Sequence, residues 1–219
     1  MKKSQSITLK VFPYKDSSKI VNLFTKDFGL ISVIIYGIGK KMNNLQAICN
    51  LFTQSEIIIQ ESHSDLFILK DTSIIDQNLH LRNNFTDLKI AGKISKAVLD
   101  SNLPFNKSKP LFLLLEKFLK NISINPLAIY SSFLLKLLLI EGLINPKINC
   151  HICQNKAQNI SFAESVCEKH SDQHSFRFTK DEFDILHLLT FIKSFSLFKA
   201  IEITSTFEDK INLLFKSLI

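Results

Sequence analysis

The sequence predicts an α+β fold in which a small β-barrel or sandwich precedes a mostly α-helical domain that carries a cysteine-rich insert. Three observations lead to this prediction. The first third of the 219-residue chain contains short segments rich in Ile, Val, Phe and Thr. The pattern beyond residue 77 is helical, and three of the four cysteines lie within 18 residues. We therefore expect domains at 1–77 and 78–219, with a separate module over 149–175.

The N-terminal region has the composition and alternation of β-strands. Its five candidate strands are SITLKVFPY, KIVNLFTK, GLISVIIYG, LFTQSEIIIQE and DLFILKDTSII. Asp27-Phe28-Gly29 separates the second from the third, where a tight hairpin turn is expected. Five short strands in fewer than 80 residues favour a small closed barrel or a sandwich.

The remainder of the chain carries helix signals. We predict helices over 78–101 and 110–120 from their apolar periodicity. Asn125 and Pro126 have the residue types of an N-cap and a first helical position, so a third helix should run from there to about residue 141. Thr179 to Glu182 and Ser205 to Glu208 have the spacing of capping boxes, which places further helix starts near residues 180 and 206.

The cysteine-rich insert has the spacing of a metal site. Cys150 and Cys153 form one pair, Cys167 and His170 form a second, and each pair has two residues between its members. Two thiolates at this spacing can bind one ion from a single tight turn, and a second such turn completes a tetrahedron. The sequence therefore predicts a structural zinc ion bound by these four residues.

The fourth ligand has alternatives, because His151 and His174 lie close to His170 in the sequence. Cys49 lies far away and is expected to be a small apolar core residue. Four protein ligands leave no open coordination position, and a catalytic zinc needs one. The motifs of zinc peptidases, zinc deaminases, phosphate loops and serine hydrolases are also absent from the sequence. We therefore expect a binding protein without catalytic turnover.

Positive charge is concentrated near the N-terminus of a chain whose net charge is +7. Residues 1–41 contain eight lysines against two acids, Asp16 and Asp27. Lysines that contact phosphates beside rings that stack on bases are typical of single-strand binding. The rings here could equally be barrel core, and lysine excess is also typical of AT-rich genomes. The candidate nucleic-acid-binding residues are Lys10, Lys15, Lys19, Lys26, Lys40 and Lys41.

A membrane location is not expected. The most apolar segment, 133–144, is interrupted by Lys136 and Glu141 and is too short to span a bilayer. Polar residues follow Met1-Lys2-Lys3, where a signal peptide would have an apolar core. We therefore expect a cytoplasmic protein, and in that compartment closely spaced cysteines bind metals more often than they form disulfides.

The residues from Val11 to Lys41, VFPYKDSSKIVNLFTKDFGLISVIIYGIGKK, resemble the N-terminal motif of the RecO family of bacterial recombination mediators. A second stretch, Glu141 to Cys153, resembles the segment that leads into the zinc module of that family. The chain departs from the family pattern where Phe12 replaces an arginine and Asp16 replaces a glutamate. His170 stands where the family more often has cysteine, and the basic run after Lys41 is thin.

That resemblance implies an OB-fold barrel that binds single- and double-stranded DNA and anneals complementary strands. It also implies partnership with RecR and with the acidic tail of single-stranded-DNA-binding protein, so that RecA is loaded onto coated strands. Such a protein would act in the bacterial cytoplasm at the nucleoid. Three lysines at helical spacing are the candidates for contact with the acidic tail, although they could also form a plain solvated face: Lys89, Lys93 and Lys96.

Two other functions fit the same residues. An RNA- or ribosome-binding barrel protein would also be basic and carry a structural zinc, and it would prefer RNA to DNA in competition. A zinc-dependent hydrolase of unfamiliar type would need an open coordination site and metal-dependent turnover.

Overall fold

The computed structural model describes residues 1–38, 44–62, 66–101 and 106–219. The chain forms two compact units, Met1–Lys120 and Asn121–Ile219. The barrel strands end at Asp76, beside the expected boundary after residue 77, and the first unit continues through two further helices. The domain division at residue 77 remains a prediction.

The first unit contains a closed five-stranded barrel. Its strands are β1 (Lys2–Tyr14), β2 (Ser18–Thr25), β3 (Gly29–Ile35), β4 (Gln54–Glu61) and β5 (Leu66–Asp76). The order around the barrel is β1-β2-β3-β5-β4; β3 and β5 pair in parallel, and the other pairs are antiparallel. This is the OB-fold topology, which confirms the predicted barrel and decides against a sandwich.

Strand alternation sets the barrel core. Val21 and Leu23 on β2 face inward beside Val33 and Ile35 on β3, and all four side chains are buried. Cys49 lies in the same cluster, as predicted for a small apolar core residue. Burial raises the pKa of its thiol more strongly than nearby Lys19 lowers it.

The turn between β2 and β3 is the tight hairpin that the sequence predicts. Gly29 has φ +70°, which favours glycine. The Thr25 hydroxyl donates to the Gly29 carbonyl at 2.8 Å and accepts from the Phe28 N–H at 3.0 Å. The Lys26 and Asp27 N–H groups donate to the Gln5 carbonyl at 3.0 Å and to the Ser4 hydroxyl at 3.2 Å, so β1 also helps to hold this turn.

The sequence prediction misses two features of this unit. β1 begins at Lys2 instead of Ser6, because its first residues pair with β4 from Lys2↔Ile59 to Ile7↔Gln54. A short helix, α1 (Asn44–Ala47), lies between β3 and β4. Neither feature has a local signal, since the first depends on a distant strand and the second is a single turn.

Two long helices complete the first unit. They are α2 (Phe85–Ser101) and α3 (Lys109–Asn121), and a 3-10 turn, Leu79–Arg82, precedes them. The helix predicted over 78–101 is therefore divided, and Asn78 has φ +47° just before the 3-10 turn. The ring of Phe112 on α3 stacks on Phe24 of β2 at 6.4 Å, so this face of the barrel is covered by a helix.

The second unit is mostly helical, with a small sheet inserted. Its helices are α4 (Pro126–Ile140), α5 (Lys180–Phe191) and α6 (Ser205–Leu218). The inserted strands β6 (Asn159–Ser161), β7 (Glu164–Val166) and β8 (Phe176–Arg177) form an antiparallel sheet in the order β7-β6-β8. This arrangement confirms the predicted helical region with an inserted module.

The helix caps agree with the sequence at two of three sites. The Asn125 side chain accepts from the Ala128 N–H, and Thr179 and Glu182 form a complete capping box. The box predicted at Ser205 is wrong, because Thr204 is the N-cap and accepts from the Phe207 N–H at 3.3 Å. None of the helices in the described part of the chain has the length and apolar character needed to cross a bilayer.

Candidate metal centre and nucleic-acid interface

Four ligand side chains converge in the inserted module. The ligand atoms of Cys150, Cys153, Cys167 and His170 all lie within 4.8 Å of one another. The first two residues flank a tight turn, the third follows β7, and His170 ends the 3-10 turn Glu168–His170. The structure thus brings together the four residues that the sequence selects as ligands.

The distances fit a tetrahedral ion. Cys153 Sγ lies 3.6 Å from Cys167 Sγ, and His170 Nδ1 lies 3.5 Å from Cys150 Sγ and 3.4 Å from Cys167 Sγ. Ordinary zinc bond lengths predict edges of about 3.8 Å between two sulfurs and about 3.6 Å between sulfur and nitrogen. A tetrahedral ion bound by three thiolates and His170 Nδ1 is therefore compatible with the observed positions.

Backbone hydrogen bonds shape both ligand turns. The Cys150 N–H donates to the Asn155 carbonyl at 2.7 Å, and the Cys150 carbonyl accepts from Gln154, which has φ +63°. In the second turn the His170 N–H donates to the Cys167 carbonyl at 3.1 Å. Each pair of ligands is thereby held on one side of its own turn, as the two-residue spacing requires.

The environment of Cys150 favours the thiolate. Burial raises the pKa of this thiol, but backbone N–H groups of Cys153, Cys167 and Ile152, together with His170, lower it to about 5. A deprotonated sulfur is the form that binds a metal. The ligand set can therefore hold a soft or borderline divalent ion such as zinc, which would tie the two turns together.

The two other histidines near the centre have different contacts. The Nδ1 atom of His151 lies 3.1 Å from the Ser165 carbonyl. The ring of His174 packs against Phe162 at a centroid distance of 6.3 Å. His170 is therefore the histidine whose ring nitrogen reaches the three sulfurs.

The predicted DNA-binding lysines do not form one cluster. Lys15 and Lys19 lie at the end of the barrel that contains the β1–β2 turn, while Lys26 follows β2 at the opposite end. Seven residues of extended strand separate Lys19 from Lys26 by about 23 Å. Lys26 Nζ donates to Gln5 Oε1 at 3.4 Å. Lys10 lies between the two ends, on the outer face of β1.

Lys40 and Lys41 lie outside the described residues, but the start of their loop does not. Ile35, the last residue of β3, pairs with Lys19, and the Ile38 N–H donates to the Ser17 carbonyl at 2.9 Å. The loop therefore begins beside the β1–β2 turn. This places its first described residues at the same barrel end as Lys15.

Aromatic rings accompany two of the lysines. Lys10 Nζ lies 4.7 Å from the ring centroid of Phe12, and Lys15 Nζ lies 5.4 Å from that of Tyr14. Phe12 is 38% exposed, whereas Phe24 is fully buried beneath α3. The rings near the N-terminus thus divide into surface rings beside lysines and core rings, a distinction that composition alone leaves open.

The lysines of α2 lie within one arc of the helix, as their spacing predicts. Lys96 forms an ion pair with Asp100 at 2.7 Å and lines a cavity of about 610 Å³ between α2 and the outer face of the barrel. Lys10 lines the same cavity, so two lysines assigned to different roles meet there. The apolar wall of this cavity consists of Leu9, Leu30, Leu51, Phe52 and Leu99.

The sequence prediction misses that apolar wall. Its residues come from β1, β3, the segment before β4 and α2, and each is an ordinary apolar residue of its own segment. Long-range packing alone assembles them into a cavity. A local sequence signal exists for the lysines on the rim but not for the wall.

The barrel, the helical unit and the metal-binding insert together define a class of OB-fold proteins with a helical body and a Cys3His centre. The sequence profile described as "Recombination protein O N terminal" matches residues 1–78 of this chain. Relatives named DNA repair protein RecO match well beyond the barrel, for example over 162 and 204 residues. The N-terminal barrel is thus similar to the RecO family, and these relatives extend the similarity into the second unit.

Three of these relatives illustrate the extent of the similarity. The chain is 28% identical to the protein of Mesoplasma florum over 72% of its own length and 60% of the relative's. It is 29% identical to the Chlamydia muridarum protein over 64% of its own length and 62% of the relative's. It is 24% identical to a Listeria monocytogenes protein over 90% of its own length and 79% of the relative's. The matched region thus spans about three fifths of the length of the Mesoplasma and Chlamydia relatives.

Proposed function

We propose that this protein is a bacterial DNA repair and recombination mediator that binds DNA and anneals complementary single strands. In this role it would help to load RecA onto strands coated by single-stranded-DNA-binding protein, in the cytoplasm and without catalytic turnover. The observation that carries the proposal is the closed OB-fold barrel, because the family match covers it from end to end. OB-fold barrels commonly bind oligonucleotides.

The barrel end that contains the β1–β2 turn is the proposed primary DNA surface. Lys15 and Lys19 lie there, and the loop that leads to Lys40 and Lys41 starts there. Ammonium groups at this end would neutralise the repulsion between two phosphate backbones and raise their local concentration. Annealing then needs no bond making, since base pairing supplies the free energy.

The outer face of β1 extends this surface. Phe12 and Tyr14 have lysine ammonium groups within 4.7 Å and 5.4 Å of their ring centroids. An aromatic ring beside a cation can stack on a base while the cation contacts the adjoining phosphate. Lys26 is about 23 Å away along the strand, so we propose a weaker, separate role for it.

The proposed ion of the Cys3His centre is zinc, in a structural role. Cys150, Cys153, Cys167 and His170 would fill all four positions of a tetrahedral ion. Zinc bound there supplies folding free energy by cross-linking the two ligand turns. The small sheet of β6, β7 and β8 has little apolar core of its own. The inserted module would therefore depend on this cross-link for its stability.

The cavity between α2 and the barrel is the proposed site for the acidic tail of single-stranded-DNA-binding protein. Leu9, Phe52 and Leu99 offer an apolar wall, and Lys10 and Lys96 lie on its rim. An apolar side chain within an acidic segment would match this combination. Partnership with RecR is also part of the proposal, and the family resemblance alone supports it.

An annealing assay tests the proposal directly. Two complementary oligonucleotides are coated with single-stranded-DNA-binding protein and mixed with and without this protein. We expect the protein to speed annealing severalfold and to bind single-stranded DNA in a salt-dependent manner. Failure to bind DNA would overturn the proposal. Consistently tighter binding of RNA in competition would favour an RNA-binding barrel protein instead.

A further inference from the structure

An exposed aromatic ring lies at the tip of the β6–β7 hairpin. Phe162 is 81% exposed, and it occupies a two-residue turn in which Phe162 has φ +45° and Ala163 has φ +70°. Such turns favour Asn and Gly, because L side chains are strained at positive φ. Neither turn chemistry nor packing explains a phenylalanine at this position. Strained and exposed residues of this kind often mark functional sites.

Hydrogen bonds hold the hairpin tip in place. The Ala163 carbonyl accepts from the Asn145 N–H at 2.7 Å. The Asp172 carboxylate accepts from the hydroxyls of Ser161 and Ser175 and from the His174 N–H at 2.9 Å. These bonds join the loop before β8 to the hairpin, and they bring the His174 ring to 6.3 Å from the Phe162 ring. The exposed ring is therefore positioned before any ligand binds.

An exposed guanidinium group lies on the same small sheet. Arg177 on β8 is exposed, and its side chain forms no ion pair or hydrogen bond with any residue in the described ranges. It is one of two arginines in a chain whose other cationic side chains are lysines. Arginine binds phosphate through two parallel hydrogen bonds, which lysine cannot do.

Three acids of the inserted module and of α5 have partners other than Arg177. Asp172 accepts the bonds described above, Glu182 forms an ion pair with Lys210 at 2.6 Å, and Glu164 pairs with Lys147 at 4.0 Å. The positive charge of Arg177 is thus left for an external anion. Arg177 also lines a cavity of about 580 Å³, whose other members include His174, Phe176, Phe178, Lys210 and Leu213.

We propose that Phe162, His174 and Arg177 form a second contact for single-stranded nucleic acid, in which the Phe162 ring stacks on a base and Arg177 binds a phosphate. We refer to these three residues as the hairpin-tip site. Arg177 pairs with Asn159, three residues before Phe162, so the backbones of Phe162 and Arg177 are about 10 Å apart along the strand direction. The site would therefore contact neighbouring nucleotides of one strand.

Single-stranded nucleic acid fits this site better than an apolar protein surface does. The ring stands at the tip of a turn and contacts the polar ring of His174, whereas protein-binding patches are contiguous and apolar. One ring and one guanidinium match one base and one phosphate. The inference rests on the proposed function, because it adds a second strand contact to a protein whose barrel supplies the first. Two contacts on one chain raise the effective concentration of a bound strand.

The natural chain contains no tryptophan, so a reporter can be placed at the site itself. We expect the fluorescence of Phe162→Trp to be quenched when a single-stranded oligonucleotide binds, because the indole would stack on a base. The matched control is Phe191→Trp, since Phe191 is also an exposed ring of the second unit but packs on His187. That variant should show no quenching by the same oligonucleotide. Parallel titrations with DNA and RNA oligonucleotides show which of these two single-stranded nucleic acids the site prefers.

Two further variants separate the ring from the charge. Phe162→Ala should weaken single-strand binding by roughly fivefold or more without changing its salt dependence. Arg177→Gln should flatten the slope of log affinity against log salt by about 0.7. Both variants should keep the metal content of the natural protein, which checks that the module is intact.

The possible outcomes separate the two proposals. Unquenched Phe162→Trp fluorescence at an oligonucleotide concentration that saturates binding would overturn the hairpin-tip site while leaving the barrel proposal standing. Equal quenching by a polyphosphate that lacks bases would also overturn it, because stacking would then be excluded. Absence of any single-strand binding by the natural protein would overturn the proposed function and the hairpin-tip site together.

Discussion

A β-carbon on Gly29 would stand 2.1 Å from the carbonyl oxygen of Asn106, so the β2–β3 turn and the segment before α3 are in direct backbone contact. No residue other than glycine fits there without movement of one backbone against the other. This contact joins the barrel to the helical part of the first unit through two residues that are far apart in the sequence.

Gly29→Ala should therefore lower the free energy of unfolding by about 2–5 kcal/mol, because strain at positive φ adds to overpacking. Gly37→Ala is the matched control, since Gly37 also has φ +70° but no atom within 4 Å of its β-carbon position. It should cost only about 1–2 kcal/mol. Denaturant unfolding measures both, and equal losses would show that the Asn106 contact has no energetic weight.

Metal binding should depend on His170 and not on His151. The natural protein should contain about one zinc per chain, as expected for a closed four-ligand site. His170→Ala should weaken zinc affinity by more than the roughly 10- to 100-fold that loss of an outer partner costs. His151→Ala is the control and should retain the metal. Competition with a chelating dye measures the affinity, and equal affinities for the two variants would contradict the assignment of His170.

Removal of the metal should also destabilise the second unit. A strong chelator should lower the thermal midpoint of the protein, because structural zinc contributes folding free energy directly. The effect should be absent from Cys150→Ser, which lacks one ligand from the start. Identical midpoints for the natural protein with and without chelator would argue against a structural ion.

The loop after β3 should control the salt dependence of DNA binding. Replacing Lys40 and Lys41 together by Ala should flatten the slope of log affinity against log salt by about 1.4, at about 0.7 per phosphate contact on single strands. Lys193→Ala with Lys199→Ala is the control, because it removes the same charge from exposed positions of the second unit. Equal slopes for the two double variants would attribute the effect to net charge instead of the loop.

Half-buried Lys136 should give the second unit a measurable pH dependence. Its ammonium donates to the carbonyls of Thr190 and Ile192 at 2.9 and 2.8 Å, beside the end of α5. Burial, with a smaller contribution from Lys193, lowers the pKa of Lys136 from 10.5 to about 8. Between those values the unfolded chain holds the proton that the folded chain has released, so the free energy of unfolding should rise with pH from about 8 to about 10.5.

The measurement compares the natural protein with Lys136→Met by denaturant unfolding at several pH values. The difference in the free energy of unfolding, natural minus variant, should rise across that window and be flat below pH 7. Lys216→Met, at an exposed position, should show no such change relative to the natural protein. A difference that falls with pH would mean that the folded state binds the proton more tightly than the unfolded chain does.

The cavity beside α2 should bind the acidic tail peptide through both its rim and its wall. Lys93→Ala with Lys96→Ala should weaken peptide binding, and the unpaired Asp100 would add repulsion. Gly92→Leu should also weaken it, because Gly92 lines the cavity with open space around its β-carbon position. Lys107→Ala with Lys109→Ala is the charge-matched control. Tail binding that survives the first two variants would place the peptide elsewhere.

Much of the fold and of the metal site could be predicted because the relevant signals are local. Strand alternation, the Asp27-Phe28-Gly29 turn and the caps at Asn125 and Thr179 each act over a few residues. The pairs of ligands two residues apart likewise report turns that a metal can join. The error at Ser205 has a local cause as well, since the neighbouring hydroxyl of Thr204 competes for the same capping role.

The sequence by itself determined the succession of the barrel strands and the long helices, the positions of most turns and the identity of the four converging ligands. Tertiary structure decided the features that depend on distant segments. It extended β1 to Lys2 through pairing with β4, separated Lys19 from Lys26, and assembled the cavity that Lys10 and Lys96 share. The physical reason is that periodicity and capping arise from neighbours in the chain, whereas barrel closure and side-chain proximity arise from contacts whose sequence separation carries no local signature.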